Sequence, residues 1–205
     1  MGDKIALGGG VLVIDGFFLA GASLDVDLDK VPQGKLLATT LGIPKQISVG
    51  PSGNDIAGGL TPFVTTTLKN LKVPDQYISL ATSGMPAELK QGRPEAYAFP
   101  ALGLLAIASV FVLKDNNKKI ALLLLGIVVL AGSGYAINLI NEGIAKASGG
   151  QPFPAGVSAG PGIGLYLTAL AGILIAAGGW KSQENAVSSG GASMASNAQT
   201  SNMQK

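Results

Sequence analysis

Two long apolar stretches dominate the centre of the chain, and a short polar interruption separates them. The stretches run over residues 96–113 and 120–140, each without a charged residue, and residues 114–119 between them are all Lys, Asp or Asn. A helix of roughly 20 apolar residues crosses the ~30 Å hydrocarbon core of a bilayer. Because the interruption is too short to cross back, the pattern predicts a transmembrane helical hairpin over residues 96–140 with its turn at 114–119.

A further uncharged apolar stretch begins at Gly162 and ends at Gly179, where Trp180 and Lys181 follow. Tryptophan next to lysine is typical of the end of a membrane span, because the indole ring sits at the headgroup level and the ammonium group reaches water. The pattern therefore predicts a transmembrane helix over 162–181, with Trp180 and Lys181 as its interfacial anchor.

The N-terminal stretch, residues 1–24, is apolar from Ile5 to Leu24 except for Asp15. Its length favours a first transmembrane helix. The small residues at 20–23, downstream of Lys4, also fit the cleavage site of a signal peptide. An ionised aspartate inside the hydrophobic region costs about 2.5–3.5 kcal/mol on insertion scales, which argues against the signal peptide. We favour the retained helix and leave cleavage open.

Residues 25–95 form the largest polar segment. Alternation of apolar and acidic residues over 24–29 predicts a strand, and the β-branched and aromatic residues of 63–68 and 77–80 predict two more. Residues 85–91 predict one or two helical turns. We therefore expect a small α+β domain between the first and second membrane helices. A domain of this size has a marginal core, so we expect it to lean on the helices or on a partner.

The last two polar segments are residues 141–161 and 182–205. The first is rich in Gly and Pro and predicts a loop, and the second is dominated by Ser, Ala, Asn, Gln and Gly. Such a composition buries too little apolar surface to order itself, so 182–205 is predicted to be a disordered tail. The fold class that follows is a membrane all-α protein, with a four-helix transmembrane bundle and the α+β domain inserted between helices 1 and 2.

The lysines predict the orientation of these helices. Lys114, Lys118 and Lys119 lie in the hairpin turn, whereas the 141–161 loop holds only Lys146. Short loops rich in lysine or arginine stay in the cytoplasm. We therefore expect both termini and the turn to be cytoplasmic, and 25–95 and 141–161 to be extracytoplasmic.

Composition agrees with the membrane assignment and excludes several kinds of chemistry. The mean hydropathy is +0.42, with 47% hydrophobic and 13% charged residues, and the net charge is only +2. That charge is too small to indicate nucleic-acid binding. The chain has no cysteine and no histidine, which excludes disulfides, thiolate nucleophiles and histidine acid–base or haem-ligand chemistry. We predict no cofactor.

Asp15 is the main functional candidate, because ionisable residues inside a span are rare and usually functional. Three interpretations are open. The carboxyl group is neutral or bonded to a hydroxyl such as Ser109, Ser133, Tyr135 or Thr168; it contacts a partner subunit; or it carries protons or cations. The first is favoured, since a single carboxylate is not a relay.

Two further residue sets are candidates for packing and for metal binding. Small residues at helical spacing predict close helix contacts at Gly9, Gly16, Gly132, Ala136, Gly172 and Ala176. Asp25, Asp27 and Asp29 begin like a calcium-binding loop, but that loop needs Gly and Glu where Lys30 and Leu36 stand. A solvated strand face is favoured over a weak Ca²⁺ site.

The sequence contains no catalytic constellation, so we expect a protein that is not an enzyme. The favoured function is an accessory subunit or scaffold of a membrane complex, whose partners are the lipid bilayer and either other membrane subunits or further copies of itself. The alternative is a channel or transporter component that uses Asp15 for ion or proton passage.

Overall fold

In the computed structural model, which describes residues 1–181, the chain is mostly helical with a small three-stranded sheet. The predicted tail, 182–205, lies outside the described residues. The α-helices are α1 Gly2–Phe18, α2 Gly34–Leu41, α3 Gly53–Gly58, α4 Leu60–Asn70, α5 Asp75–Ser83, α6 Ala87–Gln91, α7 Ala98–Val112, α8 Asp115–Ala147 and α9 Ile163–Lys181, and a 3-10 turn at Pro94–Tyr97 precedes α7. The strands are β1 Ala22–Asp27, β2 Gln46–Val49 and β3 Val157–Pro161.

Three helical segments are long and apolar enough to cross a membrane. They are Pro94–Val112, Asn116–Lys146 and Ile163–Lys181, so the expected hairpin and the last helix are present as candidate spans. Helix α1 has 17 residues, which is shorter than the roughly 20 that an untilted span needs. Helix α8 has 33 residues, or about 50 Å at ~1.5 Å per residue, and so extends well beyond one hydrocarbon core.

The buried core lies between α1, α7, α8 and α9. Each helix contributes fully buried side chains, such as Val13 from α1, Ala106 from α7, Val129 from α8 and Ile175 from α9. Helix α1 is therefore part of the same packed core as the three candidate spans.

One end of this core is defined by an ion pair between α1 and α8. Lys118 Nζ lies 2.9 Å from Asp3 Oδ2, and the Lys118 side chain is only 16% exposed. The start of α1 and the start of α8 therefore meet at one end, which we call the lysine end. The predicted turn over 114–119 is wrong in extent, because α8 begins at Asp115. Helical backbone satisfies its own hydrogen bonds, so these polar residues extend the helix.

The opposite end carries the sheet, and we call it the sheet end. The strand order is β2-β1-β3, and both pairs are antiparallel. Strand β1 follows α1 and β3 immediately precedes α9, so β1 and β3 prolong two neighbouring antiparallel helices. The central strand thus pairs with a segment from outside the predicted 25–95 domain.

The predicted loop over 141–161 is largely wrong. Helix α8 continues to Ala147, and β3 occupies 157–161. Asn138 Nδ2 donates to Glu142 Oε1 at 2.6 Å, a side-chain pair at i,i+4 spacing that supports the helical extension.

Two predicted strands between β2 and α7 are also wrong. Residues 63–68 lie in α4 and residues 77–80 in α5. Pro62 falls in the first turn of α4, and Pro74 with Asp75 begins α5, which are helix-start signals. These signals outweigh the β preference of threonine and valine, which depends on context. The strand expected over 24–29 is confirmed over 24–27, within β1, and the helical turns expected over 85–91 are confirmed over 87–91, in α6.

The ion pair at the lysine end leads to a direct test. The chain has no cysteine, so we expect the double substitution Asp3→Cys with Lys118→Cys to be joined by a short bismaleimide in membranes. The control pair Asp3→Cys with Asn141→Cys should stay unlinked, because about 35 Å of α8 separates Lys118 from Asn141 at ~1.5 Å per residue. Gel mobility after cross-linking measures both. Cross-linking of the control pair but not of the first would contradict the arrangement.

Candidate functional site

Asp15 lies in the last turn of α1 and is exposed. In the sequence Asp15 stands near the middle of an apolar stretch. In the structure α1 ends at Phe18, and Ala20, two residues later, forms a β-bridge with Ser52. Among residues 1–181 no hydrogen bond or ion pair reaches the Asp15 carboxylate. The residue is therefore near the sheet end and faces away from the buried core.

The hydroxyl groups expected to pair with Asp15 have other acceptors or lie exposed elsewhere. Ser133 Oγ donates to Val129 O at 2.8 Å and Thr168 Oγ1 donates to Gly164 O at 2.8 Å, both inside the core. Ser109 Oγ donates to Leu105 O at 2.7 Å. None of these hydroxyls bonds Asp15, since serine and threonine in helices donate to their own preceding turn. The other part of that interpretation, a neutral carboxyl group, stays a prediction.

Exposed tyrosines surround the core at about the level of Asp15. The Tyr97 ring lies 5.5 Å from that of Phe17, and Tyr166 is one turn into α9, whose start contacts Gly16. Tyr135 lies one turn beyond the contact between Gly132 and the Phe99 ring. These tyrosines are exposed. Tyrosine is enriched at membrane–water interfaces, so we expect the Asp15 carboxylate to lie near an interface, where it contacts water.

One close helix contact joins α1 to α9, and we call it the α1–α9 contact. Its small residues recur every seven positions: Gly2, Gly9 and Gly16 on α1, and Gly164, Ala171 and Gly178 on α9.

The backbones approach too closely for larger side chains at these positions. A Cβ on Gly9 would lie 3.0 Å from Ala171 O, and one on Gly16 would lie 2.8 Å from Gly164 O. The predicted packing residues Gly9 and Gly16 therefore lie in this contact. The remaining residues of the contact are Gly2, Gly164, Ala171 and Gly178. The seven-residue spacing of these small residues in the sequence is the signal that could have identified them.

A second close contact joins α9 to α8. A Cβ on Gly126 would lie 2.6 Å from Gly172 O and 2.6 Å from Ala176 N. Gly172 and Ala176 thus face α8, and Gly126 is the partner that the sequence did not single out. Of the other two predicted packing positions, a Cβ on Gly132 would lie 3.4 Å from the Phe99 ring of α7, and Ala136 is half-buried.

The aspartates at β1 are engaged by lysines. Asp27 lies 3.0 Å from Lys30 and Asp29 lies 3.5 Å from Lys45. The hydrogen bond from Lys30 holds the pKa of Asp27 below its usual value. Among residues 1–181, no group of three or more Asp, Glu, His or Cys side chains is placed to hold a metal ion. Asp27 and Asp29 are thus paired with lysines and Asp25 is exposed, and the three do not form a ligand cluster.

The anchor residues Trp180 and Lys181 are exposed in the last turn of α9. Their neighbour Gly179 packs against Leu122 and Lys119 at the start of α8. They therefore lie at the lysine end, on the same side as Asp3 and Lys118.

An open cleft at the sheet end was not anticipated from the sequence. It lies between β2 and α4 and has a volume of about 370 Å³. Its lining residues are Gln46, Ile47, Ser48, Val49, Gly50, Phe63, Thr67, Asn70 and Leu71. The lining residues carry no charged side chain.

Comparison with known proteins gives no relative for this chain. No family model matches it, and neither a curated protein nor a solved structure is significantly similar.

The α1–α9 contact is tested by a matched pair of glycine substitutions. Gly16→Ala forces a methyl group against a backbone oxygen, and we expect it to destabilise the protein by about 1–3 kcal/mol. Gly8 has no atom within 4 Å of a built Cβ, so Gly8→Ala should be neutral or stabilising by up to about 1 kcal/mol through helix propensity. Thermal unfolding in mild detergent measures both. Equal effects would show that α1 does not pack on α9 as described.

Proposed function

We propose that this chain is a non-catalytic integral membrane protein that serves as an accessory subunit or scaffold of a membrane complex. The main support for the proposal is that the helix pair α1 and α9 continues directly into the sheet. Strand β1 follows α1, β3 precedes α9, and the two strands pair in register, with Leu24 opposite Ala159 and Val26 opposite Val157. A surface at the sheet end is therefore held rigidly relative to the helices.

The joint between helices and sheet is itself closely packed. Gly162 N donates to Gly21 O at 2.9 Å and Gly164 N donates to Ala20 O at 2.8 Å, directly at the transition. Backbone hydrogen bonds of this kind leave little freedom for a hinge. Rigid presentation of an outer surface is what a scaffold requires, whereas an enzyme or carrier needs a site that opens and closes.

The way the core is filled favours packing over transport. Helix backbones meet at Gly9, Gly126 and Gly172, and the buried hydroxyls of Ser133 and Thr168 are bonded to their own helices. Close backbone contact between small residues is a common basis of helix association in membranes. Within one copy of the chain, this close packing fills the space between the helices through which an ion would pass.

The topology that belongs to this proposal has four spans. Helix α1 joins the three candidate spans because its buried face lies in their common core. Its 17 residues cover about 25 Å at ~1.5 Å per residue, which fits a slightly thinned bilayer. We place the lysine end in the cytoplasm and the sheet end outside. The packing of α1 also supports its retention over cleavage as a signal peptide.

The partners in this proposal are lipid and other membrane subunits or copies of the chain. Large apolar side chains are exposed along α7, α8 and α9, for example Leu104, Leu124 and Ile173. In a bilayer such side chains face lipid tails or a neighbouring helix.

We expect the protein to purify in mild detergent as a stoichiometric assembly larger than the 20.5 kDa chain. Light scattering coupled to size exclusion, followed by mass spectrometry of the components, measures the assembly. A protein that remains a monomer in native lipid nanodiscs would contradict the scaffold function.

The channel alternative is separated by Asp15→Asn. Because Asp15 is exposed near the sheet end and outside the core, we expect the substitution to leave ion and proton flux in proteoliposomes at the wild-type level. Asp25→Asn, an exposed change on β1, is the matched control. The alternative would be established if the wild-type protein conducted ions or protons and Asp15→Asn abolished that flux, while assembly and the flux of the control variant stayed unchanged.

A further inference from the structure

We propose that the cleft between β2 and α4 binds an extended segment of a partner protein, which adds as a fourth strand to the free edge of β2. The proposal rests on the scaffold function and names the surface through which one partner is held. Its starting point is the position of β2 in the sheet. The order is β2-β1-β3, so within residues 1–181 β2 has a strand neighbour on one side only.

The register shows which backbone groups point to the free edge. Leu28 N donates to Lys45 O at 2.7 Å, and hydrogen-bonded pairs recur at every second residue of an antiparallel ladder. The pairs Val26–Ile47 and Leu24–Val49 lie two and four residues along the ladder from Leu28–Lys45, so they are hydrogen-bonded pairs as well. The N–H and C=O groups of Gln46 and Ser48 therefore point away from β1 and are available to a new strand.

The cleft has the dimensions of a short extended segment. Strand β2 has four residues, which span about 13 Å at ~3.3 Å per residue. The cleft beside it has a volume of about 370 Å³, and α4 forms its other wall with Phe63, Thr67 and Asn70. A strand in this position bonds β2 with its backbone and packs alternate side chains against α4, as in known strand-addition complexes.

The lining of the cleft also indicates which side chains the bound segment carries. Ile47, Val49, Phe63 and Leu71 are apolar lining residues, so apolar side chains fit at alternate positions of the bound strand.

Basic residues adjoin this lining in the sequence. Exposed Lys45 directly precedes Gln46, and exposed Lys69 and Lys72 flank Asn70 and Leu71. Within residues 1–181 only Lys45 of the three has an ion-pair partner, Asp29. This favours an acidic residue next to the apolar ones in the partner.

A partner segment fits better than a second copy of the chain. Edge-to-edge pairing of two copies would bring together two β2 strands, each with its own α4 beside the edge. A single extended segment adds one strand between β2 and α4 and brings no second α4 to the edge.

The test uses the full chain in its native membrane, with a photo-reactive benzoylphenylalanine at Asn70, which lines the cleft. The control carries the same group at Thr66, which is exposed on α4 outside the cleft. We expect the Asn70 probe to give an adduct with a different protein, and the Thr66 probe to give none. Mass spectrometry of the adduct should map the cross-link to one short segment with alternating apolar residues.

Substitutions at Ser48 then test the mode of binding. Ser48→Pro removes the outward N–H without removing a bond to β1, and edge positions tolerate proline. We expect Ser48→Pro to reduce the adduct by roughly tenfold or more, and Ser48→Ala, which keeps the N–H, to leave it unchanged. If Ser48→Pro lowers the thermal unfolding midpoint, Thr67→Trp, which fills the cleft and leaves the edge intact, must abolish the adduct.

Three results would overturn the proposal. They are an absence of adduct from Asn70, equal adducts from Asn70 and Thr66, and an adduct that contains only peptides of this chain. The assembly measured by light scattering would be unaffected by any of them, so failure of the cleft is distinguishable from failure of the scaffold function.

Discussion

The structure depends on the close approach of α1 and α9. Their backbones meet at small residues that recur every seven positions, and Gly16 and Gly164 are in direct backbone contact near the sheet end. Contact at this distance gains dispersion energy along the whole length of two helices, which is the main source of helix association where water is absent. Any larger side chain at these positions separates the helices.

The sheet is a consequence of this contact. Because α1 and α9 are antiparallel and touch at their ends, the segments that leave and enter them are already side by side. Strands β1 and β3 are therefore close enough to pair directly, and β2 pairs with the other side of β1. In the order β2-β1-β3, strand β2 lies at one edge of the sheet, and α4 lies beside that edge and forms the cleft with it. The packing of the helices thus helps to determine where this edge is presented.

The candidate membrane spans could be predicted from the sequence, because a bilayer imposes simple rules on helix length and hydropathy. Those over α7, α8 and α9 follow from uncharged apolar stretches alone. The helix ends were less predictable. Asp115 begins α8 and Ala147 ends it, since polar residues continue a helix whenever its backbone bonds and pairs such as Asn138 with Glu142 can be kept.

The segment between β1 and α7 was predicted least well, for two physical reasons. Threonine-rich residues 63–68 favour strands only when a neighbouring strand is present, and here they lie in α4, whose first turn holds Pro62. The environment of Asp15 depended on where α1 ends, which is set by a bridge from Ala20 to Ser52 distant in sequence. The cleft could not be predicted at all, because its walls come from separate elements whose proximity depends on the tertiary fold.

The most direct measurement is oxidation of a cysteine pair across α1 and α9 in native membranes. The Ala6 side chain and a Cβ built on Gly178 lie in direct contact, at 2.7 Å, so Ala6→Cys with Gly178→Cys should form a disulfide after a small outward shift of the two helices. Because the chain has no other cysteine, the product is read as loss of both free thiols. We expect nearly complete oxidation of this pair and none for Gly8→Cys with Gly178→Cys. Free thiols in the first pair under the same conditions would contradict the packing on which the fold and the proposed function depend.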